Sequence, residues 1–306
     1  MKIAIGPSSF GEASSEPIEL LKKYGIEIIP NPYGRRLTED EIIEHLKGVD
    51  GLIAGLEPLN QKVLDASKES LKAIARVGIG MNNVDIPYAQ SVGIKVSNTP
   101  DGPTESVAEM TLTALLSLLR MVPQTNKKLH EGEWKKMIGR SLNGLNVGII
   151  GYGRIGRKFR KVLSGFSCQV FIFDPYLQED SSIDKKDVRC DTLKELLENA
   201  DVISFHAAGA EEMIGIEEVN QMKDGVIILN SARGELINEE ALVKGLDSGK
   251  IQGLWLDAFW QEPYKGALLK YDNVLLTPHV GTYTEQCRKS MEVSAVQNIL
   301  KDLGVL

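Results

Sequence analysis

An α/β protein made of two doubly wound domains is predicted here, and three observations predict it. Short apolar runs alternate with charged, helix-patterned segments along most of the chain, as expected for parallel sheets covered on both faces. The chain has 306 residues, more than one hydrophobic core ordinarily holds, so two domains are expected. Finally, residues 146–174 read as strand, glycine-rich turn, helix and second strand, with glycines at 151, 153 and 156 and an acid at 174. That layout is the fingerprint of a Rossmann dinucleotide-binding domain.

The smaller, flavodoxin-like domain comes first. Apolar runs place strands at 2–5, 26–29, 51–54, 73–77 and 94–97. Helical patterning falls between them, near 15–24, 39–47, 60–67 and 86–92, with Thr38 as a capping residue. This half has no glycine fingerprint of its own. Residues 104–122 form a different kind of helix, apolar nearly all round after one polar turn. Such a helix is buried on several sides, and a place between domains or across a dimer interface is expected ahead of a plain core position. Alternation then resumes. Strands are expected at 146–150, 169–173, 188–190, 201–205, 225–230, 251–257 and 273–277, and helices at 154–164, 192–199, 216–223 and 238–248. A last helix, 284–302, closes the chain.

Each part of the fingerprint has a physical task. Gly151 permits the turn, Gly153 lets backbone approach a pyrophosphate, and Gly156 lets the helix lie close on the sheet. The helix N-terminus, at Arg154 and Ile155, offers unpaired N–H groups and the positive end of its dipole. Asp174, 18 positions beyond Gly156, can accept hydrogen bonds from both hydroxyls of an adenosine ribose. The same carboxylate would repel a 2′-phosphate, with Glu179 and Asp180 close in sequence. No Arg or Lys follows until Lys185, so NAD is expected rather than NADP.

Composition narrows the field further. A net charge of −7 without a dense Lys/Arg cluster argues against a nucleic-acid or anionic-membrane surface. No run approaches the ~18 apolar residues of a membrane span. Cys168, Cys190 and Cys287 are scattered, which suits free thiols in a reducing compartment rather than a disulfide framework or a zinc site. No metal is expected. Met1–Gly6 reads as a first strand rather than a signal peptide, and a cytoplasmic location follows.

Three polar residues stand where strands of the second domain end: Arg233, Glu262 and His279. Strand ends of an open α/β sheet line the ligand crevice, so the three can converge. Arg233 can clamp a carboxylate bidentately and polarise an adjacent carbonyl. A histidine can exchange a proton near neutral pH, and a carboxylate such as Glu262 can orient it. Acid–base histidine, arginine and dinucleotide together suggest hydride transfer to a 2-oxo acid. His45, in a charged helix, and His130, in a polar connection, read as surface residues. His206 ends a strand on the ligand side, as anchor or reactant. The loop Gly78-Ile79-Gly80 is an ordinary turn or an anion-binding one.

The chain resembles the D-isomer-specific 2-hydroxyacid dehydrogenase family over essentially its whole length. The resemblance rests on Arg76-Val-Gly-Ile-Gly-Met-Asn-Asn-Val-Asp85, Asn98-Thr-Pro100, Ser106-Val-Ala-Glu109 and Gly151-Tyr-Gly-Arg-Ile-Gly156. It continues through Asn230-Ser-Ala-Arg-Gly234, Asp257-Ala-Phe-Trp-Gln-Glu-Pro263 and Pro278-His-Val-Gly281. It implies that Arg233 binds the substrate carboxylate and 2-oxygen, that His279 is the acid–base and that Glu262 is its partner. Gly78, Ile79 and Gly80 would hold the substrate carboxylate. Thr104, His206, Ala207, Ser231, Ala232, Asp257 and Gly281 would join the fingerprint residues at NAD. A discontinuous substrate domain (1–98 with 284–306), an NAD domain (99–283) and a homodimer are also implied.

Four features depart from the family pattern. The segment after His206 lacks the usual Pro and threonines and is shorter. Pro103 replaces an Asn near the substrate. Residues 54–59 lack the Arg of phosphoglycerate-specific relatives, and the chain leaves no room for a serine-sensing regulatory domain after its last helix. Two alternatives therefore stay open: a phosphoglycerate dehydrogenase or specialised biosynthetic relative, and a non-catalytic NAD-sensing protein of the corepressor kind.

Overall fold

The computed structural model describes residues 1–177, 183–209 and 211–306. Glu179 and Asp180, read above against a 2′-phosphate, lie outside the described residues, as does Ala210 of the shortened 206–213 segment. Backbone contacts divide the chain into two compact units, Met1–Pro103 with Thr282–Leu306, and Thr104–Gly281. The expected joints stood at 98/99 and 283/284.

The first unit runs β1 (Lys2–Ile5), α1 (Glu16–Lys23), β2 (Glu27–Ile29), α2 (Glu39–His45), β3 (Gly51–Ala54), α3 (Gln61–Ser67), β4 (Ala73–Arg76), α4 (Ile86–Ser91) and β5 (Lys95–Asn98). Its strands are all parallel, in the order β2-β1-β3-β4-β5. Local chemistry starts the helices where the sequence suggests. Thr38 and Glu41 close a capping box on α2, Asn60 caps α3, and Asp85 caps α4 ahead of Pro87.

The second unit begins with α5 (Pro103–Leu119) and α6 (Val122–His130), then β6 (Asn146–Ile150), α7 (Arg154–Val162), β7 (Gln169–Phe173), β8 (Val188–Arg189), α8 (Leu193–Asn199) and β9 (Val202–Phe205). It continues with α9 (Ile216–Gln221), β10 (Val226–Asn230), α10 (Glu239–Asp247), β11 (Ile251–Leu256) and β12 (Val274–Leu276). These seven strands form one parallel sheet, β12-β11-β10-β9-β6-β7-β8. The final helix, α11 (Glu285–Asp302), returns to the first unit. There Met291, Ala295, Val296 and Ile299 cover the sheet face opposite α2, α3 and α4, packing on Ile3, Ile53 and Ala75.

Two expectations change, and α5 is placed on its own sheet. The helix expected over 104–122 ends at Leu119, and Met121, at φ 53°, turns the chain into α6. Residues 122–130, read as a connection, are therefore helical, and His130 is the last residue of α6. Pro123 in its first turn and lysines in its last were the available signals. The apolar face of α5 is met by the sheet of its own unit: Ala108, Leu115, Leu118 and Leu119 pack with Val147, Ile149, Leu229 and Trp255. It is a core helix. His45, expected at the surface, is half-buried, its Nε2 3.0 Å from the Ile5 carbonyl, and burial lowers its pKa. No single helix among the described residues is long and apolar enough to cross a membrane.

Candidate active site

Strands β6 and β9 lie side by side, yet the chain runs from β6 outward to β8 before returning to β9. Their carboxyl ends thus form the switch point of the sheet, where open α/β sheets bind ligands. Gly151 follows β6 at φ 89°, and a Cβ there would stand 2.4 Å from the Ala207 nitrogen. A Cβ on Gly156 would stand 2.2 Å from the Gly151 carbonyl oxygen. Only glycine allows this turn and this helix to touch. At Gly153 the situation is reversed: a Cβ would meet nothing within 4 Å. Helix α7 starts there without a side-chain cap, and Arg154 and Ile155 occupy its first turn. Uncapped N–H groups beside open space suit a pyrophosphate.

Two side chains complete this cradle. Asp174 ends β7, where its Oδ2 accepts from Tyr152 N–H (2.8 Å) and its Oδ1 from Tyr176 N–H (2.9 Å). These amides fix the carboxylate against the glycine turn. His206, just past β9, shares a hydrogen bond between Nε2 and Ser204 Oγ (2.9 Å) and tilts against the Phe159 ring at 5.2 Å. Burial pushes its pKa down to about 3, so the ring stays neutral, and its Nδ1 is buried without a protein partner. The open glycine, the uncapped helix and the orphaned nitrogen fit a dinucleotide. Thr104 lies part-exposed in the first turn of α5.

A second cluster is built at the ends of β10, β11 and β12. Buried Asn230 braces the turn Ser231–Arg233, accepting from Ala232 N–H (2.9 Å) and donating to the Arg233 carbonyl (2.7 Å). The Arg233 guanidinium itself donates to the Ala232 carbonyl at 2.6 Å. Past β11, Glu262 Oε1 accepts from His279 Nδ1–H at 2.9 Å, and from Phe259 N–H at 3.4 Å. Glu262 and His279 are therefore brought together. His279 sits at φ 56°, an uncommon conformation for a residue with a side chain, held only where surroundings enforce it.

Asp257 enforces it. Its Oδ1 accepts from Thr277 O–H (2.6 Å) and Val280 N–H (2.9 Å), and its Oδ2 from Gly281 N–H (2.7 Å). A Cβ on Gly281 would approach Asp257 Oδ2 to 2.9 Å. Burial raises the Asp257 pKa against the pull of these donors. Asp257 and Gly281, expected at the cofactor, are thus engaged in shaping the histidine turn. Asn230 and Thr277 were not singled out from the sequence, because their use depends on which strand ends lie next to each other.

Gly78, Ile79 and Gly80 belong to the first unit. Gly78 has φ 132° and donates its N–H to Thr99 Oγ1 at 2.7 Å. Its amide is therefore taken, while Ile79 is exposed.

Comparison with known proteins gives the family. The profile of the "D-isomer specific 2-hydroxyacid dehydrogenase, NAD binding domain" family covers residues 112–281, more than half of the chain. The chain belongs to this family. It is 35% identical over 296 residues to the hydroxypyruvate reductase of Thermotoga maritima, covering 94% of each chain. It is 37% identical over 273 residues to the D-3-phosphoglycerate dehydrogenase of Methanocaldococcus jannaschii, but spans only 52% of that chain's length. Among solved structures, the D-lactate dehydrogenase of Aquifex aeolicus, complexed with NAD and lactic acid, superposes with a TM-score of 0.84 at 27% identity, over 100% of this chain and 96% of that one. The protein is accordingly an oxidoreductase of CH–OH groups that works with a nicotinamide dinucleotide.

Proposed function

We propose that this dehydrogenase interconverts a short, unphosphorylated D-2-hydroxy acid and its 2-oxo acid with NAD(H). The Glu262–His279 hydrogen bond of 2.9 Å carries this reading, because it leaves Nε2 as the proton-exchanging atom and gives Nδ1–H a fixed acceptor. When bound, the dinucleotide supplies or takes the hydride at C2. His279 gives its Nε2 proton to the oxygen as negative charge develops there, and Glu262 stabilises the imidazolium before that transfer. Arg233 holds the substrate carboxylate and 2-oxygen, fixing C2 for attack and lowering the cost of the oxygen's charge.

Asp174 supports NAD over NADP, since its carboxylate stands at the end of β7 where an adenosine 2′-phosphate would be repelled. Glu57 supports an unphosphorylated acid. Segment 54–59, which carries Arg in phosphoglycerate-specific relatives, here holds this buried carboxyl. A homodimer is part of the same proposal. Trp134 and Ile138 are 84% and 96% exposed, and Val122 and Leu129 of α6 are also exposed, more apolar surface in one stretch than a lone subunit usually shows.

The test is NADH and NADPH oxidation against a panel of 2-oxo acids, for the wild type and His279→Ala. Turnover is expected with NADH in preference to NADPH. The variant should lose about 10²–10⁴-fold in kcat while NADH binding, followed by fluorescence, stays unchanged. A His279→Ala enzyme with wild-type turnover would overturn the assignment.

A further inference from the structure

The loop that carries Glu262 is held from both sides by aromatic residues. Before it, the Phe259 ring stacks on Tyr264 at 4.9 Å and 22°, and the Phe259 N–H donates to the Glu262 carboxylate. Trp260 tilts against Tyr264 at 6.2 Å, and its Nε1–H donates to the Ile237 carbonyl at 2.9 Å. After it, Tyr264 O–H donates to Glu239 Oε1 at 2.5 Å and accepts from Leu268 N–H at 3.0 Å. Burial and the Glu239 carboxylate push the phenol pKa up to about 12, so this donor keeps its proton across the working range of the enzyme.

The anchor points are informative. Ile237 and Glu239 follow directly on Arg233, through the single 3-10 turn Gly234–Leu236. Gly234 lies against the same loop: a Cβ there would stand 2.4 Å from both the Phe259 carbonyl carbon and the Trp260 nitrogen. The segment bearing Arg233 and the loop bearing the carboxylate partner of His279 are thus fastened together by Trp260, Tyr264 and Glu239.

We infer that Tyr264, through its hydrogen bond to Glu239, is a positioning residue for this reaction, setting the separation between Arg233 and the Glu262–His279 pair. The inference rests on the acid–base role proposed for that pair. Acid–base transfer demands reacting atoms within hydrogen-bond reach, and a misplacement of about 1 Å costs roughly 10²-fold in rate. Tyr264→Phe keeps the ring stack and removes only the hydroxyl. Glu239→Leu removes the acceptor, and Glu239→Gln keeps an acceptor oxygen.

The experiment measures kcat and KM for hydroxypyruvate or glyoxylate, NADH affinity, Tm, and the primary isotope effect with NADH deuterated at C4. Tyr264→Phe and Glu239→Leu are each expected to lower kcat about tenfold or more, to raise the isotope effect and to leave NADH affinity unchanged. The double variant should be no slower than either single variant, and Glu239→Gln should retain most of the wild-type kcat. Unchanged kcat in Tyr264→Phe, with or without a lower Tm, would overturn the inference and leave the pair a purely structural fastening. His279→Ala, run alongside, separates the two failures. Full turnover without the histidine sinks the acid–base reading, whereas an inactive His279→Ala beside a fully active Tyr264→Phe sinks only the positioning role.

Discussion

The two units of this chain share an architecture and use it in opposite ways. Each has a wholly parallel sheet with one switch point, between β1 and β3 in the first unit and between β6 and β9 in the second. Fold rules place a ligand crevice at both. In the second unit that crevice is left open: a side chain at Gly153 would meet nothing, α7 is uncapped, and His206 Nδ1 has no protein partner. In the first unit it is filled from within. Glu57 is buried there, its Oε1 accepting from Gly55 N–H at 2.9 Å, and a Cβ on Gly6 would stand 2.0 Å from the same oxygen. The Glu57 side chain occupies the space at this switch point that the glycine turn leaves empty in the second unit. The fold therefore offers the crevice twice, and the residues that line it decide whether it takes a ligand.

Substitutions at the two sets of glycines test this contrast. The largest effect is expected at Gly153→Val. The added side chain has room in the free protein, so Tm should barely move, yet it stands in the open space proposed for the pyrophosphate. NADH affinity should fall by about 10²-fold or more, about 2.7 kcal/mol at 1.36 kcal/mol per tenfold. Retained affinity would show that the open side of the glycine turn is not the phosphate site.

Gly6→Ala should do the reverse. The new methyl collides with a buried carboxyl that has little freedom to move, and overpacking of this kind costs about 1–3 kcal/mol. A lower Tm with unchanged NADH affinity is expected, and loss of NADH binding in the folded variant would break the contrast.

The smallest effect concerns pH. Burial raises the Glu57 pKa, outweighing the Gly55 amide and the attraction of Arg76 and Arg36. The folded state then binds the proton more tightly than the unfolded chain, whose carboxyl titrates near ~4.3. The associated stability is fully present below that pH and is lost as pH rises through the folded value. Glu57→Gln should remove this slope, giving a Tm that changes less between acid and neutral pH than the wild type's. Parallel Tm–pH curves for the two proteins would contradict it.

What could be read from the sequence follows the range of each interaction. The glycine turn, the helix behind it and Asp174 are local: each residue's task is set by backbone geometry within about 30 positions of chain. Helix starts at Thr38, Asn60 and Asp85 were equally local, since a cap acts on amides two or three residues away. Arg233, Glu262 and His279 were recognisable by type and by their place after apolar runs. Only the folded sheet, however, lays β11 beside β12 and brings Glu262 within 2.9 Å of His279.

The tertiary structure alone decided the rest. His45 folds beneath the end of β1, α5 spends its apolar face on its own sheet, and α6 begins because Met121 turns left-handed. Asp257 binds the backbone of the histidine turn, and Tyr264 reaches Glu239 across 25 positions of sequence. Each of these depends on which strand ends and helix termini become neighbours, and side-chain hydrogen bonds reach only about 3 Å. The sequence by itself determined the backbone chemistry of the glycine turn and offered the side chains proposed to react. Packing decided which side chains hold them in place, because that is a matter of proximity between residues far apart along the chain.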